Sequence, residues 1–129
     1  MSAVVIDTHV IIWYFLQSKK LSAPALAAID NADLVYVPAI SVVEIIYLQE
    51  KGKIPEVALH RLNQVLADIN TGWLLMPLNI EIAQAITQIP RDTVPEMADR
   101  IIAATAFYLN LPLVTCDSKI RSMNMQIIW

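Results

Sequence analysis

Four acidic residues stand where this chain is otherwise apolar, and any fold open to it must gather them or neutralise each one. Asp7 ends the run AVVID, Glu44 interrupts AISVVEIIYL, Asp99 opens DRIIAATAFYL, and Asp117 follows LPLVT after a single cysteine. A carboxylate among Ile, Val and Ala is costly unless it is paired or coordinated. No Lys or Arg lies at helical spacing from Glu44. A divalent cation, a hard ion that takes oxygen ligands, is the simplest common solution.

The chain has 129 residues, enough for one domain over 1–129 and too few for two. It is 57% hydrophobic and 16% charged, more apolar than a typical soluble domain. The surplus fits either a surface buried against a partner or a compact α/β core rich in Ala and Ile. The net charge of −3 argues against generic nucleic-acid binding, which shows a basic excess. Yet setting the four singled-out acids aside from the twelve leaves eight, against nine basic residues. An acidic pocket filled by metal thus removes most of the repulsion towards phosphates. The lone Cys116 cannot form an internal disulfide and fits a reducing cytoplasm. MSAVVID lacks the basic n-region of a signal peptide, and no apolar run approaches the roughly 18 residues of a membrane span. A cytoplasmic protein without a membrane partner is expected.

Strand-like and helix-like segments alternate. Ala3–Asp7, Leu34–Val37, Trp73–Leu78, Leu113–Thr115 and Gln126–Trp129 read as strands, the last at an edge. Helices are expected over Thr8–Leu16, from a Ser22 cap with Pro24 in the first turn, over Ser41–Glu50, from Pro55 to about Ile69, from an Asn79 cap to near Pro90, over Glu96–Leu109, and for a turn or two at Asp117–Arg121. Strands separated by helices imply βαβ units. The expected class is α/β: a three-layer α/β/α domain whose mostly parallel central sheet of four to five strands is covered on both faces.

That topology places the acids. In right-handed βαβ units every strand ends, and every helix begins, on one side of the sheet. Asp7 and Asp117 follow strands, Asp99 falls in the first turn of its helix, and Glu44 falls in or near the first turn of the helix after the second strand. All four are therefore expected on the carboxyl edge, where open α/β sheets bind ligands. Each also has a plainer role open to it. Asp7 and Asp117 suit helix caps, Asp99 suits a helix N-terminus, and Glu44 could snorkel or bond a tyrosine.

Thr8 and Thr115 are placed to support the cluster through hydrogen bonds, and Glu96, one turn before Asp99, is a candidate fifth acid. Lys119 and Arg121 flank Asp117 and suit phosphate contacts, or simply a solvated helix face. His9 and Arg100 read as packing or surface residues, and Trp13, Trp73 and Trp129 as core or interface. With two glycines in all, the chain has neither a phosphate loop nor a dinucleotide fingerprint. It has no G-x-S-x-G elbow, and Cys116 lacks the partners that zinc or a thiol nucleophile would need. Two carboxylates would suit glycoside hydrolysis; four convergent ones point to metal instead.

At these residues the chain resembles the PIN-domain family, and within it the VapC-type toxins of bacterial toxin–antitoxin systems. The matching pieces are VVIDTHVIIW, SVVEI, ADRIIAATA and LPLVTCD, in the family's order. The resemblance spans nearly the whole sequence and matches Asp7, Glu44, Asp99 and Asp117 to the family's acidic quartet. It departs where relatives often carry Asp-Pro before the third acid and this chain has Glu96-Met97. It implies a PIN-like fold and a divalent-metal-dependent endoribonuclease using Mg²⁺ or Mn²⁺, with these four residues catalytic and metal-binding. It further implies an RNA substrate, a homodimer, and inhibition by a small cognate antitoxin. The alternatives are a non-catalytic PIN-like regulatory or assembly subunit and, less in keeping with the residues, a phosphoacceptor receiver. The receiver would need paired acids after the first strand and an acid after the third, where Met76-Pro77-Leu78 stands.

Overall fold

Val, Ile and Leu dominate the short runs that become strands: β1 (Ala3–Ile6), β2 (Leu34–Pro38), β3 (Trp73–Met76), β4 (Leu113–Val114) and β5 (Ile127–Ile128). The computed structural model describes residues 2–129. All four strand pairings are parallel, in the order β3-β2-β1-β4-β5. Seven helices fill the connections: α1 (Thr8–Phe15), α2 (Ala23–Asn31), α3 (Ala39–Glu50), α4 (Glu56–Ala67), α5 (Ile80–Ala85), α6 (Met97–Leu109) and α7 (Ser118–Arg121). The expected three-layer α/β/α arrangement is present, with five strands and no antiparallel member. Among the described residues no helix is long and apolar enough to cross a membrane.

Successive side chains of a strand point to opposite faces, and β1 displays this without interruption. Val4 and Ile6 pack with Val35, Val37 and Val114 under α1–α4. Val5 packs with Leu113 under α5, α6 and α7, through Ile82, Ile102 and Ile120. Helix α6 is buried at every position from Ile101 to Ala106, and its alanines 103, 104 and 106 let the backbone lie close to the sheet.

The order of the sheet locates the site. From β1 the chain steps outward through β2 to β3, then returns to lay β4 and β5 on β1's other side. The reversal lies between β1 and β4, where Val5 pairs Leu113 and Ile6 pairs Val114. A crevice opens at the carboxyl ends of strands at such a switch point. The residues leaving these strands there are Asp7 and Thr115.

The element boundaries differ from expectation in three places. Helix α3 starts at Ala39, directly on Pro38, because Pro38 already has a φ of −61° and serves as the N-cap. Glu44 therefore sits in the second turn of α3. Helix α4 stops at Ala67 and gives way to a 3-10 turn over Ile69–Thr71. Helix α5 is short and passes into another 3-10 turn, Ile86–Gln88.

Gly72 ends the first of these turns with a φ of +77°, and a Cβ built on it would stand 2.3 Å from the Asp33 carbonyl oxygen. Only glycine lets β3 start this close to β2, where Val35 N–H donates to Gly72 O at 2.8 Å. Gly52 has a similar φ of +70° but open space around it. Gly52→Ala is thus expected to lose about 1 kcal/mol, the left-handed backbone penalty alone. Gly72→Ala carries the clash as well and should lose about 3 kcal/mol or more. Urea unfolding of both variants checks this; equal losses would show that the Asp33 contact relaxes freely.

Candidate active site

Asp7 leaves β1 and caps α1. Its Oδ1 accepts from Thr8 N–H at 2.5 Å, while its Oδ2 accepts from the Thr115 hydroxyl at 2.5 Å across the switch-point crevice. Asp117 caps α7, its Oδ1 accepting from the N–H groups of Lys119 (2.8 Å) and Ile120 (3.2 Å). The Asp117 N–H in turn donates to Thr115 Oγ1 at 3.1 Å. Thr115 therefore ties the two loops that carry these acids. The capping role and the shared location hold together, because each carboxylate has two oxygens.

Glu44 enters from α3. Its Oε1 accepts from the Thr8 hydroxyl at 2.6 Å, and Thr8 Oγ1 is also 3.0 Å from Ser41 Oγ. Thr8, Ser41 and Thr115 are all buried. Sequence reading anticipated the two threonines but missed Ser41. The available signal was its position one turn before Glu44 on the same helix.

Asp99 stands in the first turn of α6 and registers the other three acids. Burial, the charge of Asp117, the charge of Asp7, a hydrogen bond shared with Asp117 and the charge of Glu44 all push its pKa upward, to about 7. No influence on it acts in the opposite sense. Asp7 is also raised, first by burial; the hydrogen bonds from Thr115 and Thr8 and the nearby His9 oppose that shift, and the charge of Asp117 adds to it. A helix N-terminus favours an anion by only about 0.3–1 kcal/mol, less than this crowding requires. The charges of Asp117, Asp7 and Glu44, drawn from distant parts of the sequence, thus all bear on Asp99. As their side chains stand, no three His, Cys, Asp or Glu groups among the described residues close round a single point as a metal cage.

The remaining candidates divide. Glu96 is exposed at the N-cap of α6, makes no capping bond and is absent from the influences on Asp99. Lys119 and Arg121 are exposed on α7 beside Asp117. His9 is exposed, lies near enough to lower Asp7, and packs on Trp13 with ring centroids 5.8 Å apart. Burial pushes the Cys116 thiol up, as do the charges of Asp7 and Asp117, a direction that disfavours the reactive thiolate. Arg100 is not a simple surface residue. Its guanidinium donates to the carbonyls of Ile86 (3.1 Å) and Ile89 (2.9 and 3.1 Å), pinning the 3-10 turn to α6.

A cavity of about 520 Å³ lies away from the acids, at the far end of α1, between Trp13, Phe15, Leu21, Asp30 and Arg61. There the Tyr14 hydroxyl donates to Asp30 at 2.7 Å, and its pKa is pushed up to about 12 by burial and by Asp30.

A sequence model of the PIN domain matches residues 4–124. The chain is 32% identical over 124 residues to Ribonuclease VapC22 of Mycobacterium tuberculosis, covering 95% of this chain and 92% of that protein. It superposes on VapBC2 from Rickettsia felis bound to a DNA fragment from its promoter, with a TM-score of 0.71 at 14% identity, covering 98% of this chain and 99% of that one. It also superposes on a toxin–antitoxin complex from Klebsiella pneumoniae, with a TM-score of 0.70 at 16% identity and coverages of 98% and 96%. At these identities the two structures show a shared fold.

The raised Asp99 carries a linkage consequence. Its folded pKa of about 7 exceeds its unfolded value, so its ionisation removes stability as pH rises from the ordinary carboxylate range through 7. Without divalent ions, Asp99→Asn should therefore stabilise the chain at pH 8, by on the order of 1–2 kcal/mol after screening at this half-buried site. At pH 5, where Asp99 is already protonated, the gain should largely vanish. Thermal unfolding at the two pH values measures it; an equal effect at both would dissolve the coupling.

Proposed function

Because the chain belongs to the PIN-domain family, we propose that it is the ribonuclease toxin of a toxin–antitoxin pair, hydrolysing RNA phosphodiester bonds with the help of Mg²⁺ or Mn²⁺. The observation that carries this reading is Asp99, raised by burial and by the charges of three acids from distant parts of the chain, with nothing acting on it in the opposite sense. The similarity to Ribonuclease VapC22 supports the same substrate class.

The donor set fits a hard divalent ion, since every group is a carboxylate oxygen. Asp7, Asp99 and Asp117 are the proposed ligands, direct or through water, with Glu44 a ligand or the group that orients the attacking water. Mg²⁺ ordinarily keeps several waters and takes one or two carboxylates directly, so a closed cage of three acids is not required. When bound, the ion supplies charge neutralisation at the phosphate and acidifies water. The chain's own residues do the rest. Thr8 and Thr115 hold one oxygen each of Glu44 and Asp7. Thr115 keeps the Asp117 loop in register with Asp7. Lys119 and Arg121 are placed on the rim to meet the backbone of a single-stranded RNA.

Asp7→Asn provides the direct test. Asn is as good a cap as Asp, and its amide oxygen can still accept from Thr8 N–H, so the fold should survive. Mg²⁺- or Mn²⁺-dependent cleavage of RNA should fall by on the order of a hundredfold or more. Cleavage unaffected by the substitution, or by excess chelator, would remove the mechanism. Absence of Mn²⁺ binding by calorimetry would instead support a non-catalytic PIN-like subunit.

The proposed partners are a small antitoxin and a second copy of the chain. Val43, Ile46 and Tyr47 leave an apolar stripe on the outer side of α3, with Val43 59% and Tyr47 56% exposed, in keeping with a homodimer. Expression alone should arrest growth, co-expression of a small protein encoded beside it should restore growth, and the purified chain should run at twice its 14.4 kDa mass. Normal growth on expression would count against the toxin role, and a monomer against the dimer.

A further inference from the structure

Ser41 is fully buried on α3. A serine within a helix commonly bonds back to a carbonyl of its own preceding turn. Here its hydroxyl meets Thr8 Oγ1 on α1 at 3.0 Å, and Thr8 Oγ1 meets Glu44 Oε1 at 2.6 Å. A hydroxyl has one proton and two lone pairs. The 2.6 Å separation is that of a hydroxyl donating to a charged carboxylate, so the Thr8 proton is committed to Glu44. The contact with Ser41 is then completed by Ser41 donating to Thr8. The donors run in one direction, from Ser41 through Thr8 to Glu44.

We propose that Ser41 is a positioning residue of the nuclease: it fixes the rotation of the Thr8 hydroxyl, which holds one oxygen of Glu44 and leaves the other turned towards the acidic pocket. Without Ser41 the Thr8 oxygen loses the donor that fixes its rotation, and the anchor it gives Glu44 is loosened. Alanine would be the better helix former at a buried α3 position. A hydroxyl kept there, and directed to another helix, has a task that packing alone does not explain. This rests on the nuclease reading above, and the measurements separate the two.

The experiment is a double-substitution cycle on Mn²⁺-dependent cleavage of a single-stranded RNA oligonucleotide, using Ser41→Ala, Thr8→Val and the pair. Ser41→Ala should lower kcat about five- to tenfold, the worth of one hydrogen bond, with KM for RNA unchanged. In the Thr8→Val background Ser41→Ala should cause no further loss, because its effect passes through Thr8. Losses that multiply, or an unchanged kcat in folded Ser41→Ala, overturn the proposal. Should Ser41→Ala unfold, Ser41→Cys keeps the volume with a weak donor and is expected to show the same kcat loss. The second readout is NMR of the Thr8 hydroxyl proton without metal. It should be protected from exchange in the native chain and lose that protection in Ser41→Ala. If the native chain cleaves no RNA, the nuclease reading fails. The donor chain then stands or falls on this proton alone, and an unprotected Thr8 hydroxyl in the native chain overturns it.

Discussion

The crowding of negative charge on Asp99, where the charges of Asp117, Asp7 and Glu44 all act, is the constraint on which the carboxyl edge of the sheet depends. Two unit charges 4 Å apart at an effective dielectric near 20 oppose each other by about 4 kcal/mol. The helix N-termini beside Asp7, Asp99 and Asp117 return about 0.3–1 kcal/mol each, and the hydroxyls of Thr8 and Thr115 add charge-assisted hydrogen bonds. These supports hold the acids in place without discharging them. What is left over adds to burial at Asp99, whose pKa is raised to about 7. A site balanced in this way would suit the divalent cation proposed above.

The architecture concentrates the charge and turns the cation next to Asp99 in sequence to another task. Asp7 and Thr115 meet because β1 and β4 are neighbours at the point where the strand order reverses. Asp99 reaches the same edge because the alanine-rich α6 lies close on the sheet. Arg100 is the next residue in sequence, yet it does not neutralise Asp99. Successive helical positions are about a third of a turn apart, and the Arg100 fork is spent on the carbonyls of Ile86 and Ile89. The same side chain therefore builds the wall of the domain and leaves its acidic neighbour uncompensated.

Much of this was legible in the residues themselves. Short β-branched runs closed by Pro38 and opened by Gly72 marked strands within a residue or two, and Ser22 and Asn79 cap the helices they were expected to cap. Placement of the four acids on the carboxyl edge was expected from parallel βαβ topology, with no need for any side-chain position. Three things were hidden. The early start of α3 depends on Pro38 serving at once as strand end and helix cap, which composition does not signal. The role of Arg100 depends on acceptors 11 and 14 residues away in the backbone of a 3-10 turn. Ser41 was passed over because an apolar helix with one small polar residue is unremarked until its oxygen is seen to point at another helix. Capping and site membership for Asp7 and Asp117 were posed as a choice; both residues cap their helices, and each capping carboxylate has a second oxygen.

The apolar surplus of the sequence reaches the same helix from the other side. Most of it is spent in the two cores flanking the sheet, but Val43, Ile46 and Tyr47 remain uncovered on α3. Ile45 and Ser41 form the inner face of that helix, and Glu44 lies at the border between the buried and exposed faces. A partner covering the outer stripe would restrain the very element that presents Glu44 to the pocket. Ordering a helix through packing on two sides narrows its motion more than packing on one, because local opening tracks how few apolar contacts hold a segment. Glu44 is held by a single side-chain hydroxyl, that of Thr8, with neither a helix cap nor a strand end to fix it. Its placement therefore depends on the position of α3 more than that of Asp7 or Asp117 does, and a partner seated on α3, as proposed above, would act on it through that helix.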